Sequence, residues 1–315
     1  MTKIERFILN FPPIVAVRNI SKRITLPGFE GLKVFDVYQL LIAQINREGL
    51  NIRAAAISYN FVMAIPAAML FLCTLIPYFP VSNRIFHQLI LMVNELTPDE
   101  NARKILTHFL DNILNKPQTG LLSLGFILTL FYSSNAMMGI MRAFDKSQRV
   151  RAKTNFIEKR VRAIKLTSIL FGLLIGSLLI SLGQGELFKR IMNLSHIRDL
   201  RAHFWFRSLR WVFIVALFFY SVGFIYKYAP TLKNKRRGRL ITPGVVLATL
   251  LMMLSTTVFG YWAQNISNYN KFYGSIGSMM ILMLLIFINS LMLLIGYELN
   301  ISIRYLKEEQ EALCK

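Results

Sequence analysis

Long stretches without a charged residue constrain this chain more than any other feature. Six of them, between 16 and 31 residues long, lie between Arg53 and Glu298. A bilayer core of about 30 Å is crossed by about 20 apolar residues in a helix. The predicted fold class is therefore all-α: a polytopic membrane protein, a bundle of six transmembrane helices with amphipathic interfacial helices. The predicted spans are 55–79, 119–143, 164–183, 209–228, 242–263 and 276–300.

Composition supports this class and argues against others. Only 17% of the 315 residues are charged, against about 25% in soluble domains, and 54% are hydrophobic. A soluble enzyme or a fibrous protein would need a more polar surface. The two cysteines, Cys73 and Cys314, cannot form the disulfide framework of a small secreted domain.

The basic residues predict the orientation of the chain in the membrane. Segment 142–165 carries nine Lys and Arg residues, segment 227–239 carries six, and the chain before the first span carries eight. Six spans place these three segments on one side, and basic loops favour the cytoplasm. Loop 184–207, with five basic residues, is an exception on the other side. We expect a multi-pass inner-membrane protein with both termini in the cytoplasm.

The segments outside the spans also carry helical patterns. Residues 33–48 repeat apolar side chains at helical spacing, which predicts an amphipathic helix on the membrane surface. Loop 80–118 predicts two short helices lying against the bundle. The expected domains are a cytoplasmic segment over 1–52 with the amphipathic helix, a six-span domain over 53–303 and a short cytoplasmic tail over 304–315.

No recognisable catalytic pattern occurs in the chain. Walker A, GxSxG, GxGxxG and HExxH motifs are absent, and no carboxylates are paired within the spans. We therefore expect that the protein is not an enzyme, with no catalytic residue, no metal site and no cofactor.

Polar residues at or within the spans are the candidates for a binding site, because burying them in hydrocarbon is costly. One interpretation is that they tie helices together. The other is that they line the mouth of a polar groove, where two arginines contact an anionic headgroup and Glu298 is their resting partner. Glu298 can pair with Arg53 or Arg142, and a structural salt bridge is preferred over a proton relay. The candidates are Arg53, Ser58, Asn60, Ser133, Asn135, Arg142, Asn289 and Glu298.

Several motifs resemble the YihY/virulence factor BrkB family of bacterial inner-membrane proteins, over about residues 35–303. The early motifs are Arg53-Ala54-Ala55-Ala56, Ser58-Tyr59, Pro66, Ser133-Ser134-Asn135 and Met141-Arg142-Ala143-Phe144-Asp145. The later ones are Tyr228-Ala229-Pro230, Pro243-Gly244, Tyr273-Gly274-Ser275-Ile276-Gly277 and Gly296-Tyr297-Glu298-Leu299-Asn300. The positions expected to have structural roles are Pro66, Pro230, Pro243, Gly244, Tyr273, Gly274, Gly277 and Gly296. Gly274 is expected to permit a tight turn or close backbone contact where the sixth span begins.

The resemblance implies a six-helix inner-membrane protein associated with the envelope and with lipid handling. The first functional hypothesis is a transporter or flippase-like protein for an anionic amphipathic substrate, with anionic membrane lipids as partners. The alternative is a membrane scaffold that binds envelope proteins through loops 80–118 and 184–207. The remote alternative is the tRNA-processing ribonuclease named in some family members, although no nucleic-acid partner is expected. Gly172 and Gly176 form a GxxxG pattern that allows an oligomer.

Overall fold

The described part of the chain is built from α-helices. The computed structural model describes residues 25, 28–47, 49–78, 118–148, 155–195, 200–231, 239–265 and 267–313, with isolated positions between 90 and 111. Among these residues there is no β-strand, and a 3₁₀ turn, Ile76–Tyr78, follows the second helix. The helices are α1 Val34–Arg47, α2 Leu50–Leu75, α3 Thr119–Ser147, α4 Phe156–Ser195, α5 Leu200–Tyr228, α6 Pro243–Asn265 and α7 Ser267–Leu313.

Four described helices are long and apolar enough to cross a membrane. They are Leu50–Leu75, Thr119–Ser147, Pro243–Trp262 and Met279–Leu313. The prediction of an all-helical chain with membrane-spanning helices is therefore confirmed. The remaining predicted spans, 164–183 and 209–228, lie within α4 and α5, and the apolar part of α5 in the described region is the shorter Val212–Tyr228.

Two regions outside the predicted spans are helical. Helix α4 has 40 residues and continues to Ser195, and α5 begins at Leu200, so predicted loop 184–207 is largely helix. Helix α7 has 47 residues and carries the predicted tail 304–315 in helical form as far as Leu313. At 1.5 Å per residue, α4 is about 60 Å long, twice the hydrocarbon thickness. A charged residue ends an apolar stretch without ending the helix.

Helix α1 forms as predicted, and its apolar face contacts protein. Its apolar face packs on α7, where Val37 and Leu41 are buried with Leu299 and Ile303. The hydroxyl of Ser302 donates a 2.9 Å hydrogen bond to Gln44 Oε1 across the same contact. The apolar stripe of α1 therefore contacts protein.

Helices α6 and α7 cross at two of the motif glycines. A Cβ atom on Gly296 would lie 2.6 Å from Ala248 Cβ and 2.7 Å from Tyr226 Oη, and one on Gly244 would lie 2.6 Å from Asn300 Oδ1. Such distances are far inside van der Waals contact. Glycine is therefore required for the two backbones to approach this closely.

The first turn of α6 is capped by Thr242, which precedes it in the chain, and by Asn300 of α7. Thr242 is the N-cap, and Pro243 takes the first helical position, where its missing N–H costs nothing. Asn300 Oδ1 accepts a 2.9 Å hydrogen bond from the Gly244 N–H, and Asn300 Nδ2 donates to Thr242 Oγ1 at 2.9 Å. The predicted structural roles of Pro243, Gly244 and Gly296 thus have a physical basis at this crossing.

The chain divides into two compact units. One comprises Met1–Ser58 and Met137–Lys315, and helices α2 to α7 all contribute buried side chains to its core. The other is Tyr59–Ala136, where a Cβ on Gly125 would lie 3.2 Å from Phe71 Cα. Helix α2 runs through Pro66 without a break.

Candidate functional site

A buried ion pair lies at the centre of the first unit. Arg53 of α2 donates from Nη2 to Glu298 Oε1 of α7 at 2.9 Å, and the two side chains are 6% and 1% exposed. Charges withdrawn from water are costly unless they are paired and hydrogen-bonded. The pair therefore fixes the relative positions of α2 and α7 within the core.

Helix α3 completes this charged site. Arg53 Nη1 donates to the Ala143 carbonyl at 2.8 Å and to Ser147 Oγ at 2.6 Å. The Ser147 hydroxyl in turn donates to Glu298 Oε1. Two buried atoms, Arg53 Nε and Glu298 Oε2, have no hydrogen-bond partner among the described residues. Nη2 and Nε form one edge of the guanidinium, and Glu298 accepts a hydrogen bond from Nη2 alone.

Local backbone structure explains how both charges reach this position. Gly49, with φ of 60°, makes the left-handed turn that separates α1 from α2, and its carbonyl accepts the Arg53 N–H at 3.4 Å. Arg53 therefore lies in the first turn of α2. On α7, Ser302 Oγ lies 2.9 Å from the Glu298 carbonyl as well as 2.9 Å from Gln44 Oε1, so these two oxygens share its single proton.

An aromatic cluster lies beside the ion pair. Phe144 stacks on Tyr297 with ring centroids 3.8 Å apart, and Tyr226 meets both rings edge-on. The Tyr226 hydroxyl donates to the Leu293 carbonyl at 2.6 Å, and Gln148 Nε2 donates to Tyr297 Oη at 2.9 Å. Every buried hydroxyl of the cluster is thereby satisfied.

A second carboxylate, that of Asp145, holds the end of α5. Its Oδ1 accepts the Thr231 N–H at 2.9 Å, and its Oδ2 accepts the Thr231 hydroxyl at 3.1 Å and Lys159 Nζ at 2.9 Å. Helix α5 ends at Tyr228 because Pro230 disfavours helical backbone at the residue before it. Asp145 thus fastens the chain immediately after that proline.

Two of the predicted binding residues, Arg53 and Glu298, form an ion pair. Arg53 and Glu298 are paired, whereas the side chain of Arg142 is exposed. Ser58 is buried and donates to the Ala55 carbonyl of its own helix at 2.9 Å. Asn289 joins α7 to α6, since its Oδ1 accepts from Ser255 Oγ at 3.2 Å. Glu298 is thus paired with Arg53, and the exposed side chain of Arg142 lies on the outer face of α3.

The other predicted residues belong to the second unit or to α7. Asn60, Ser133, Asn135 and Pro66 belong to the second unit. Tyr273 and Gly274 lie inside α7, whose first residue is Ser267, so a turn at Gly274 is ruled out. The side chain of Tyr273 and the surroundings of Gly274 lie outside the described part. Gly277 is buried in the same helix.

The motifs that form this site match a known family. The model of the family described as virulence factor BrkB matches residues 41–314. This chain belongs to the virulence factor BrkB family. No solved structure gives a significant match.

Two relatives match this BrkB-family chain over most of its length. The Bacillus subtilis protein YfkH, ribonuclease-like by name, is 28% identical over 79% of this chain and 88% of its own. A UPF0761 membrane protein of Alkalilimnicola ehrlichii is 22% identical over 91% of this chain and 63% of its own. A UPF0761 membrane protein of Xanthomonas campestris is 28% identical over 35% of this chain and 25% of its own.

Several residues of the site were not predicted from the sequence. Ser147, Gln148 and Thr231 stand at the ends of helices, where serine, glutamine and threonine are ordinary. Their nearness to the motif Met141–Asp145 and to Pro230 is the one signal that could have drawn attention to them. Among the described residues, no group of three or more His, Cys, Asp or Glu could hold a metal ion.

Proposed function

We propose that this BrkB-family protein is a six-span inner-membrane protein that binds an anionic amphiphile, such as a phospholipid, and moves it as a transporter or flippase does. The observation that carries the proposal is the buried Arg53–Glu298 pair. Ionisable residues among membrane-spanning helices are costly, and in membrane proteins they commonly mark substrate or ion pathways. A purely structural contact would be served as well by apolar side chains of the same volume.

The geometry of Arg53 suits exchange of its partner. A phosphate can accept two parallel hydrogen bonds from one side of a guanidinium. Glu298 takes Nη2 alone and leaves Nε unbonded, so a phosphate that replaced it would gain a bond. During such an exchange, Ser147 Oγ and the Ala143 carbonyl would still accept hydrogen bonds from Arg53 Nη1 and hold the guanidinium in place. Arg142, which is exposed, can contact a headgroup without any rearrangement.

Lipid binding to the purified protein tests this proposal. Phosphatidylglycerol and phosphatidylcholine are compared by native mass spectrometry. Arg142→Gln should weaken phosphatidylglycerol binding about fivefold, the equivalent of about 1 kcal/mol. The matched control is Arg239→Gln, which removes one charge from another exposed arginine and should have little effect. Arg53→Lys should bind the lipid more weakly than the parent, because lysine keeps the charge but lacks the planar guanidinium that donates two parallel hydrogen bonds.

Movement across the bilayer requires its own measurement. Fluorescent phosphatidylglycerol in proteoliposomes should become accessible to an external quencher faster with the protein than without it. No acceleration and no preference for anionic lipid would overturn the proposal and favour the scaffold. The ribonuclease activity suggested by the name of YfkH is not proposed, and incubation of the purified protein with tRNA tests that choice.

The proposed topology places both termini in the cytoplasm. Single cysteines at Lys153 and Lys235 should react with an impermeant thiol reagent only from the cytoplasmic side. Cysteines at Asp111 and Asn268 should react only from outside. The same accessibility for Lys153 and Asp111 would refute the six-span arrangement.

A further inference from the structure

An apolar pocket opens on the side of the first unit, away from the ion pair. Its volume is about 460 Å³, and α2, α6 and α7 supply its walls. The lining side chains include those of Ala55, Ser58, Trp262, Met280, Met283 and Phe287.

The surroundings of this pocket are apolar. All three helices include segments that are long and apolar enough to span a membrane. Met280, Met283 and Trp262 are 52%, 44% and 46% exposed, so the pocket is open on its outer side. In a bilayer the solvent at an apolar surface of such a helix is hydrocarbon. Water would find no stabilising partners there, because apolar cavities stay dry.

The lining side chains that the structure describes are mostly apolar. Among them Ser58 carries the sole hydroxyl, and it already donates to the Ala55 carbonyl at 2.9 Å. Trp262 offers an indole N–H, which is common where a site reaches an interface. Met280 and Met283 are flexible side chains that adapt to an irregular or mobile ligand. The volume lies within the usual range of ligand pockets, about 300–1,000 Å³.

We propose that this pocket binds one acyl chain of a membrane phospholipid as a resident ligand. The inference goes beyond the proposed function and does not rest on it. Ser58 lies five residues beyond Arg53 on α2, about 7.5 Å along the helix axis and about 140° around it. The pocket is therefore on a different side of α2 from Arg53, and the acyl chain that it holds belongs to a lipid other than the one whose headgroup Arg53 would receive.

Photolabelling of the full-length protein in proteoliposomes tests the pocket. The probes are phosphatidylcholine and phosphatidylglycerol with a diazirine in one acyl chain, and adducts are located by mass spectrometry. Adducts at Met283 and Phe287 should exceed those at Leu250 several-fold, although Leu250 is 61% exposed on α6. Equal labelling at all exposed apolar residues would overturn the inference, since it describes ordinary surrounding lipid.

A matched pair of substitutions makes the test specific. Met283→Trp fills the pocket and should reduce its labelling several-fold. Met279→Trp makes the same change one turn earlier on α7, at a residue that is 50% exposed and does not line the pocket, and should leave labelling unchanged. Both residues are at the surface, so neither change should prevent folding.

The outcomes separate this inference from the proposed function. Pocket labelling that is equal for both lipids, together with no anionic preference in binding, supports the acyl-chain site and overturns the proposed headgroup contact. Preferential binding of the anionic lipid without labelling in the pocket supports the headgroup contact and overturns the acyl-chain site. A disulfide-linked dimer formed by Met283→Cys in place of lipid adducts would show that a second copy occupies the pocket, and would overturn the inference.

Discussion

The strongest energetic prediction concerns the coupling between Arg53 and Glu298. Replacing Arg53 by Met leaves a carboxylate that is 1% exposed without its cation. Breaking a buried pair in this way costs about 3–5 kcal/mol, mainly because the remaining charge stays buried. Glu298→Leu should cost a similar amount, since Arg53 keeps only Ser147 and the Ala143 carbonyl.

The double variant Arg53→Met with Glu298→Leu removes both charges. Its loss in free energy of unfolding should be smaller than the sum of the two single losses by up to about 3 kcal/mol. In domains of 150–250 residues, 1 kcal/mol corresponds to about 2–4 °C in Tm, so each single variant should melt about 6–20 °C lower.

Thermal unfolding in detergent, followed by intrinsic tryptophan fluorescence, measures these shifts. Arg142→Met is the control, because the same change at an exposed arginine should leave Tm nearly unaltered. Strict additivity of the two single variants would show that the charges do not interact. A Tm for Arg53→Met equal to that of the control would contradict the buried pair itself.

Two further predictions concern the contacts that close the first unit. Gly244→Ala should lower Tm markedly, because a methyl group there would collide with α7. Gly260→Ala is the control, because this glycine of the same helix has open space around it, and the change should be neutral or stabilising. Equal Tm values for the two variants would refute the close crossing. Asp145→Ala should cost about 1–3 kcal/mol by leaving the buried Thr231 N–H without an acceptor. Asp145→Asn should cost less, since its amide oxygen can still accept that bond, and chemical denaturation would distinguish the two.

Periodicity and charge were sufficient to predict helices but not their partners. The spacing of Val37 and Leu41 predicted a helix with one apolar face, and that helix exists. The same spacing suits lipid and protein equally, so it could not reveal that the face packs on Leu299 and Ile303. Likewise, an apolar stretch ends at Glu186, but α4 continues to Ser195 because a charged residue does not interrupt a helix.

Only part of the candidate site could be predicted from the sequence. Arg53 and Glu298 stood out because each is a charge at the edge of an apolar stretch. Arg142 has the same chemistry and the same kind of position, yet helix phase turns it outward while its neighbours Ala143 and Phe144 are buried. Phase relative to a partner helix depends on the packing of the whole unit, which one sequence does not contain.

The distance along the chain between Arg53 and Glu298 has a consequence for how the protein is made. The two residues are 245 positions apart, so Arg53 is synthesised long before its partner. A lone guanidinium is strongly disfavoured in hydrocarbon but is tolerated beside the headgroups, which its long side chain can reach. Because Arg53 lies in the first turn of α2, it can remain beside the headgroups while the rest of α2 spans the membrane. The buried pair forms only when α7, the last helix to be translated, supplies Glu298.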